Sequence, residues 1–244
     1  MGSRVKDAMK ALALLPLAVL VVPARAQDLN LGPALNIGTL GVTLSQNAVT
    51  RSISKGGPTS TKRGSRSGGS AVPSASLLFK TSPAVRKRVV ENFVKAATRS
   101  DPSTAPALRQ TFAKSDPVNY MGGQLRKAGL NPASVADGMA VYLVQAWHAT
   151  RGAVAKNPAE FRAVSRQIGQ VLLETPGIAR AKNETKQEIG ESLMLYGGLF
   201  EDGVLAAKAD PAQMTQLKSA VVKITRDTFG FDVAKLRLGA NGFY

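Results

Sequence analysis

The stretch NPASVADGMAVYLVQAWHATRG, residues 131–152, decides the fold. When its residues are placed every 100° around a helix, apolar side chains cover most of the circumference. The narrow polar strip that remains consists of Asp137, Gly138, Gln145 and His148. A helix that is apolar on nearly all sides packs against several neighbours. We therefore predict a central helix over residues 133–150, around which the other elements assemble.

The sequence on both sides of this stretch repeats one signal for the start of a helix. An Asn or Asp followed by proline precedes successive amphipathic stretches, because these side chains cap free N–H groups and proline suits the first helical turn. The pairs begin at Asp101, Asp116, Asn131, Asn157 and Asp210. Apolar stripes at helical spacing follow them. The sequence predicts an all-α fold, an irregular multi-helix bundle over residues 81–244.

Several pieces of this region are similar to a known family. The segments VADGMAVYLVQAWHATRG, KQEIGESLMLYGGL, DPAQ and FGFDVAKLRLGANGF resemble a family of secreted bacterial proteins, of proteobacterial type, whose function is unknown. The resemblance covers about residues 82–243. It implies a helical domain in the bacterial envelope, and it carries over no catalytic residue. Gly138 stands where the family more commonly has alanine, and Gly190 replaces another small residue.

The N-terminus has the order of a secretory signal peptide. Arg4, Lys6 and Lys10 precede an apolar run, and Ala24-Arg25-Ala26 supplies the small-x-small pattern of signal peptidase sites. The apolar run is shorter than the roughly 20 residues that a spanning helix needs. We predict cleavage between Ala26 and Gln27, a periplasmic or secreted product, and no transmembrane span in the mature chain. The chain has no cysteine, so it has neither a disulfide framework nor a lipidated cysteine.

The region after the leader divides into two segments. Residues 27–50 alternate apolar and polar residues in short bursts interrupted by glycine, which predicts an irregular segment that docks on the domain or on a partner. Residues 51–80 are rich in Gly, Ser and basic residues, and we predict a disordered basic linker. No acid occurs from Leu29 to Val90. After removal of residues 1–26 the chain keeps 28 Lys and Arg against 15 Asp and Glu, a net charge of +13.

The linker carries candidate anion-binding residues, which we call the basic arm: Arg51, Lys55, Lys62, Arg63 and Arg66. The arm has no aromatic residue on which nucleic-acid bases would stack. After export, the available anions are lipid head groups and envelope polymers, and each base near an anionic membrane surface contributes roughly 1 kcal/mol. The arm is therefore predicted to touch anionic envelope lipids or polymers rather than nucleic acid. The alternative is a solvated spacer.

Two carboxylates are weak candidates for catalysis. Glu188 and Glu191 are three residues apart on one predicted helix, close enough for the short carboxylate separation, about 5–5.5 Å, of a retaining glycosidase. A bundle di-metal site would need inward glutamates on two helices and Glu-x-x-His on two others, and this chain has a single histidine. The alternative interpretation is a solvated acidic face, and we expect no metal at this position.

His148 is the third candidate, as a general base with Asp137 on the same strip. At a rise of about 1.5 Å per residue, the two side chains start about 16 Å apart, too far for a dyad. A structural histidine near a helix C-terminus, where positive charge suits the dipole, is the favoured interpretation. Phosphate loops, nucleophile elbows, zinc-binding histidine pairs and calcium loops do not occur in the sequence, and we expect no cofactor.

The sequence supports three functional hypotheses. The favoured one is an exported helical interaction module without enzymatic activity, whose basic arm touches anionic envelope components. The second is an envelope hydrolase that acts on a glycan with Glu188 and Glu191. The third is a structural or assembly protein that pairs with another envelope protein through residues 29–44.

Overall fold

A computed structural model describes residues 74–99, 102–174 and 176–244, and these residues form an all-α fold. The helices in this part of the chain are α1 Pro83–Ala97, α2 Ala105–Lys114, α3 Pro117–Lys127, α4 Val135–Ala149, α5 Pro158–Glu174, α6 Pro176–Ala179, α7 Asn183–Ala207 and α8 Pro211–Phe229. Short 3₁₀ turns occur at Ser74–Leu77, Pro102–Thr104 and Val233–Lys235. Strands β1 Leu238–Gly239 and β2 Gly242–Phe243 form a small antiparallel hairpin. The predicted all-α bundle is confirmed.

Helix α4 is the centre of the bundle. Every residue of α4 except Trp147 and His148 is buried, and the helix packs against α5, α7 and α8. The predicted central helix is therefore confirmed, but it begins at Val135 rather than at residue 133. Ser134 is the N-cap, because its Oγ accepts a hydrogen bond from the Asp137 N–H at 3.3 Å. Asn131 instead closes the preceding turn by accepting from the Ala133 N–H.

Three of the other Asx-Pro signals mark helix starts closely, and Asp101, the fourth, lies outside the described residues. Asp116 and Asp210 each accept hydrogen bonds from two backbone N–H groups at the starts of α3 and α8. Asn157 accepts from the Ala159 N–H at the start of α5. Gly230 ends α8 with a φ of +78°, a left-handed conformation that glycine adopts without strain. These local signals are independent of tertiary contacts, which is why the sequence alone places the helices.

Helices α4 and α7 approach each other through glycines. A Cβ atom at Gly138 would collide with the carbonyl oxygen of Gly190 and would lie 3.1 Å from its Cα. A Cβ at Gly190 would lie 2.7 Å from a ring carbon of Phe79, and one at Gly197 would lie 2.7 Å from Cγ1 of Val141. Because glycine has no side chain, the backbones of α4 and α7 come into contact. The close crossing of α4 and α7 is thus the core of the bundle.

The chain before α1 belongs to the fold further upstream than the sequence indicates. The predicted linker extends to residue 80, but Leu77 and Phe79 are buried in the hydrophobic core. Leu78 forms an isolated antiparallel bridge with Ser134. The described chain thus joins the bundle before residue 81, the predicted end of the linker, because Leu77 and Phe79 pack in the core. The folded part includes residues 74–80.

The C-terminal tail docks on α5 through one side chain. The amide of Gln167 donates to the carbonyl of Phe243 at 2.9 Å and accepts from its N–H at 2.8 Å. Gln167 thereby satisfies both backbone groups of a strand residue, as a neighbouring strand would. The Trp147 N–H also donates to the Leu236 carbonyl at 2.9 Å.

Within the described residues, no helix combines the length and apolarity needed to cross a bilayer.

Candidate functional site

The two candidate carboxylates lie on α7 and face α1, where each binds an arginine. Oε1 of Glu191 accepts from the Arg86 guanidinium at 2.8 Å and 3.2 Å. Oε1 of Glu188 accepts from the Arg88 guanidinium at 2.5 Å and 2.8 Å. Both carboxylates are thus occupied by guanidinium groups that join α1 to α7.

These two ion pairs differ in burial, and this corrects the expectation of a solvated acidic face. The Glu191 side chain is 1% exposed and its partner Arg86 is 23% exposed. Glu188 and Arg88 are 31% and 55% exposed. Glu191 is buried because α7 is covered by neighbouring residues on more sides than a helix at the surface is. The nearby Gln187 amide donates a further hydrogen bond to Glu191 at 3.2 Å.

His148 is held by a carboxylate of α5, not by Asp137. Its Nε2 lies 2.7 Å from Oε2 of Glu160, and its ring stacks edge-on against Trp147. Asp137 accepts hydrogen bonds from the Asn131 N–H and the Ser165 hydroxyl. The two residues are thus engaged at different places, as their predicted separation requires.

The remaining candidates fall on the part of the chain before residue 74. The basic arm (Arg51, Lys55, Lys62, Arg63 and Arg66), the cleavage pair Ala26 and Gln27, and residues 29–44 all lie outside the described residues. The first described residues, which follow these positions in the chain, show how the segment before α1 is held on the domain.

The attachment is an amide ladder, formed by Asn183 and Gln187 of α7 and the extended segment that precedes α1. The Asn183 amide accepts from the Lys80 N–H at 2.6 Å and donates to the Lys80 carbonyl at 2.7 Å. The Gln187 amide pairs in the same way with the backbone of Ser82, at 2.8 Å and 3.0 Å. Asn183 and Gln187 lie one helical turn apart on the same face of α7, and Lys80 and Ser82 lie two residues apart on the same side of an extended chain. The spacing of the two amides therefore matches the spacing of the two backbone positions. The amide ladder therefore ties the segment directly before α1, residues 80–82, to α7.

Beside this attachment lies an open groove of about 520 Å³, which we call the Arg126 groove. Its polar lining comes from Thr81, Arg86, Asn119, Arg126 and Asn131. Arg86 is already engaged by Glu191 and Asn119. The exposed Arg126 forms no ion pair with any described residue. The groove therefore offers the Arg126 guanidinium and two amide side chains close to the segment that precedes α1.

A second, smaller cavity lies between α3, α4, α5 and α7, and we call it the α3 cavity. Its volume is about 40 Å³. Apolar side chains such as Met121, Leu125 and Phe161 form most of its wall. Gln145 and Glu201 also line it, and the Gln145 amide donates to Oε2 of Glu201 at 2.8 Å. The sequence places Gln145 on the polar strip of the central helix but does not single out Glu201.

The electrostatics of the α3 cavity are those of a desolvated acid. Burial raises the pKa of the Glu201 carboxyl to about 7; the neighbouring Asp202 carboxylate acts in the same direction, and the hydrogen bond from Gln145 opposes both. Burial also raises the pKa of Asp202 to about 6. In the part of the chain that the structure describes, no three His, Cys, Asp or Glu side chains cluster in a way that would hold a metal ion.

In the described part of the chain, these features define a class: an all-α domain whose candidate catalytic side chains are engaged in ion pairs, and which has an open groove with an arginine and a cavity with a buried carboxyl group. The chain belongs to the family described as Family of unknown function (DUF6683), which matches residues 45–244. Comparison with curated proteins and with solved structures gave no match. Membership in a family of unknown function is thus confirmed. The match begins at residue 45 rather than at about residue 82, and it therefore includes the basic arm.

Proposed function

We propose that this chain is an exported helical binding module, without enzymatic activity, whose basic arm holds it on anionic envelope components. The observation that carries the proposal is the sequence order of a secretory leader followed by an acid-free basic stretch, Leu29 to Val90. The amide ladder supports it, because Asn183 and Gln187 hold Lys80 and Ser82, 14 and 16 residues after Arg66, on α7. The ladder thus fixes the place on the domain from which the chain leads back towards the arm.

The binding energy of such an arm is electrostatic. Each base near an anionic surface contributes roughly 1 kcal/mol, and salt screens this attraction over a Debye length of about 10 Å at 0.1 M. Five bases therefore hold the protein at a surface at low salt and release it at high salt. The bases stand among Gly, Ser and Thr, so charge rather than shape determines what the arm binds.

The Arg126 groove adds a second positive element on the domain itself. The groove begins at Thr81 and Arg86, next to the residues that the amide ladder holds. A guanidinium forms strong paired hydrogen bonds with phosphate or carboxylate. An anionic polymer or head group bound by the arm would reach Arg126 without leaving the surface. The proposed ligand class is therefore phosphate-bearing or carboxylate-bearing envelope material.

The ion pairs argue against the alternative of a glycan hydrolase. Glu188 and Glu191 would have to release Arg88 and Arg86 before either carboxylate could accept or deliver a proton. The third hypothesis, pairing through residues 29–44, concerns residues outside the described part and stays a separate prediction. The binding module is the function that the described geometry supports best.

The proposal predicts that the arm carries most of the binding to anionic vesicles. We expect replacement of all five bases of the arm by glutamine to weaken binding to phosphatidylglycerol-containing vesicles by about three orders of magnitude at low salt, since five contributions of roughly 1 kcal/mol are lost. Co-sedimentation at low and high salt measures this. The variant and the wild type should both bind weakly at high salt, because the attraction is screened.

A matched control removes the same charge from the folded domain. It replaces five exposed lysines by glutamine: Lys87, Lys95, Lys114, Lys208 and Lys235. We expect this control to bind within about tenfold of the wild type, because these bases are spread over several faces. Equal losses in the two variants would show that net charge alone drives binding, and the role proposed for the arm would be rejected.

A further inference from the structure

We propose that the α3 cavity binds a primary alkylammonium group, held by the side-chain oxygens of Gln124, Gln145 and Glu201. This site is independent of the basic arm and selects the opposite charge. It lies beneath α3, on the wall that this helix shares with α4 and α7.

The first argument is hydrogen bonding. Oε1 of Gln124, Oε1 of Gln145 and Oε1 of Glu201 are buried and have no hydrogen-bond partner. All three residues line the α3 cavity. Buried polar atoms are nearly always paired, and leaving one unpaired is costly. When the Glu201 carboxyl is ionised, all three atoms are acceptors, so the missing partner is a donor, and an ammonium group has three donors and no acceptor.

The second argument is charge. Glu201 is 7% exposed, and among the described residues no base forms an ion pair with it. Its other oxygen accepts from the neutral Gln145 amide. The adjacent carboxyl of Asp202 lines a second cavity, of about 30 Å³, that shares Glu201. A buried carboxylate is strongly stabilised by a cation, so the donor that fits best is positively charged.

The third argument is size and lining. A cavity of about 40 Å³ has room for roughly three water-sized groups. Its wall is mainly apolar, with Met121, Leu125, Val141 and Phe161. Methionine adapts to irregular ligands. A short alkyl chain would pack against this apolar wall, and its ammonium group would donate hydrogen bonds to the three oxygens. Lys156 stands at the same cavity with an exposed side chain.

The probe that tests this inference is n-propylammonium, compared with n-propanol and propionate, which have nearly the same shape. We expect n-propylammonium to raise the Tm of the full chain by about 4 °C at a tenfold excess over its Kd. NMR of the methionine methyl groups should show a shift at Met121. The alcohol and the carboxylate should leave both readouts unchanged.

Variants separate charge from shape. Glu201→Gln keeps the size of the side chain and removes its charge, and we expect at least a tenfold loss of affinity for the amine. Gln124→Leu should reduce affinity several-fold, because one acceptor is lost. Glu174→Gln is the matched control on an exposed carboxylate of α5, and should bind as the wild type does. Lys156→Met should bind equally or more tightly, because a repelling cation is removed.

Three results would overturn the inference. Equal effects of n-propanol and n-propylammonium would mean that the cavity selects by shape alone. Unchanged amine affinity in Glu201→Gln would place the binding elsewhere. No response to the amine in either the wild type or Lys156→Met would show that water alone serves the three oxygens.

Discussion

Replacing Gly138 by alanine should lower the free energy of unfolding by about 3 kcal/mol. The new methyl group would collide with the Gly190 carbonyl oxygen and come within 3.1 Å of the Gly190 Cα. Both are backbone atoms, so they cannot move aside as a flexible side chain does. Helices α4 and α7 would have to separate, and the packing along their whole contact would loosen. Urea unfolding followed by circular dichroism measures the change.

The control for this variant is the same substitution at Gly123. This residue lies inside helix α3, and a Cβ there would have no heavy atom within 4 Å. Glycine to alanine in an unobstructed helix stabilises by about 0.5–1 kcal/mol, because alanine has less backbone freedom to lose. The two substitutions should therefore change stability in opposite directions. A stabilising Gly138→Ala would mean that α4 and α7 do not cross as closely as described.

Replacing Arg86 by methionine should be the second large effect, a loss of about 3 kcal/mol or more. Methionine keeps most of the apolar stem, so the loss reports mainly on the guanidinium. Glu191, 1% exposed, would remain as a buried carboxylate without its cation. The hydrogen bond from Arg86 to Asn119 would also be lost. The same urea titration measures the change.

The neighbouring pair provides the comparison. Arg88→Met removes a guanidinium from the same helix, but its partner Glu188 is 31% exposed and water replaces the contact. Exposed ion pairs contribute only about 0–1 kcal/mol, so we expect a change in that range. Adding Glu191→Gln to Arg86→Met should recover part of the loss, because it neutralises the stranded charge. Equal effects at Arg86 and Arg88, or no recovery, would contradict the burial of Glu191.

The helical architecture could be predicted from the sequence because its signals are local. The Asx-Pro pairs at Asp116, Asn157 and Asp210 cap helices within three residues of themselves. The apolar character of residues 135–146 predicts that they are buried, since a helix with so little polar surface has no side that suits contact with water. The irregular bundle with a buried central helix follows from these two patterns.

The contacts that define the candidate sites could not be predicted in the same way. Gln187 bonds the backbone of Ser82, and Glu191 bonds Arg86, across a separation of 105 residues. A single sequence gives no information on which distant residues meet. A glutamate on a polar strip reads as solvated whether or not an arginine from α1 covers it. Glu201 was missed for the same reason, since only the fold brings it to Gln145.

The glycine contact between α4 and α7 could be predicted in part. The resemblance points to Gly138 and Gly190 as unusual positions of the packed region, and the structure shows that a side chain at Gly138 would meet the backbone of Gly190. The sequence does not show that these two glycines come into contact. The distance between the helices, and therefore the cost of a methyl group, becomes visible only when α4 and α7 are placed together.

The claim on which the proposed function depends is export, and the identity of the first residue of the mature protein tests it most directly. We predict that protein purified from its native host begins at Gln27, because the leader is removed after Ala26. Its bases then meet the anions of the envelope. A protein that begins at Met1 and is recovered from the cytosol would contradict the account.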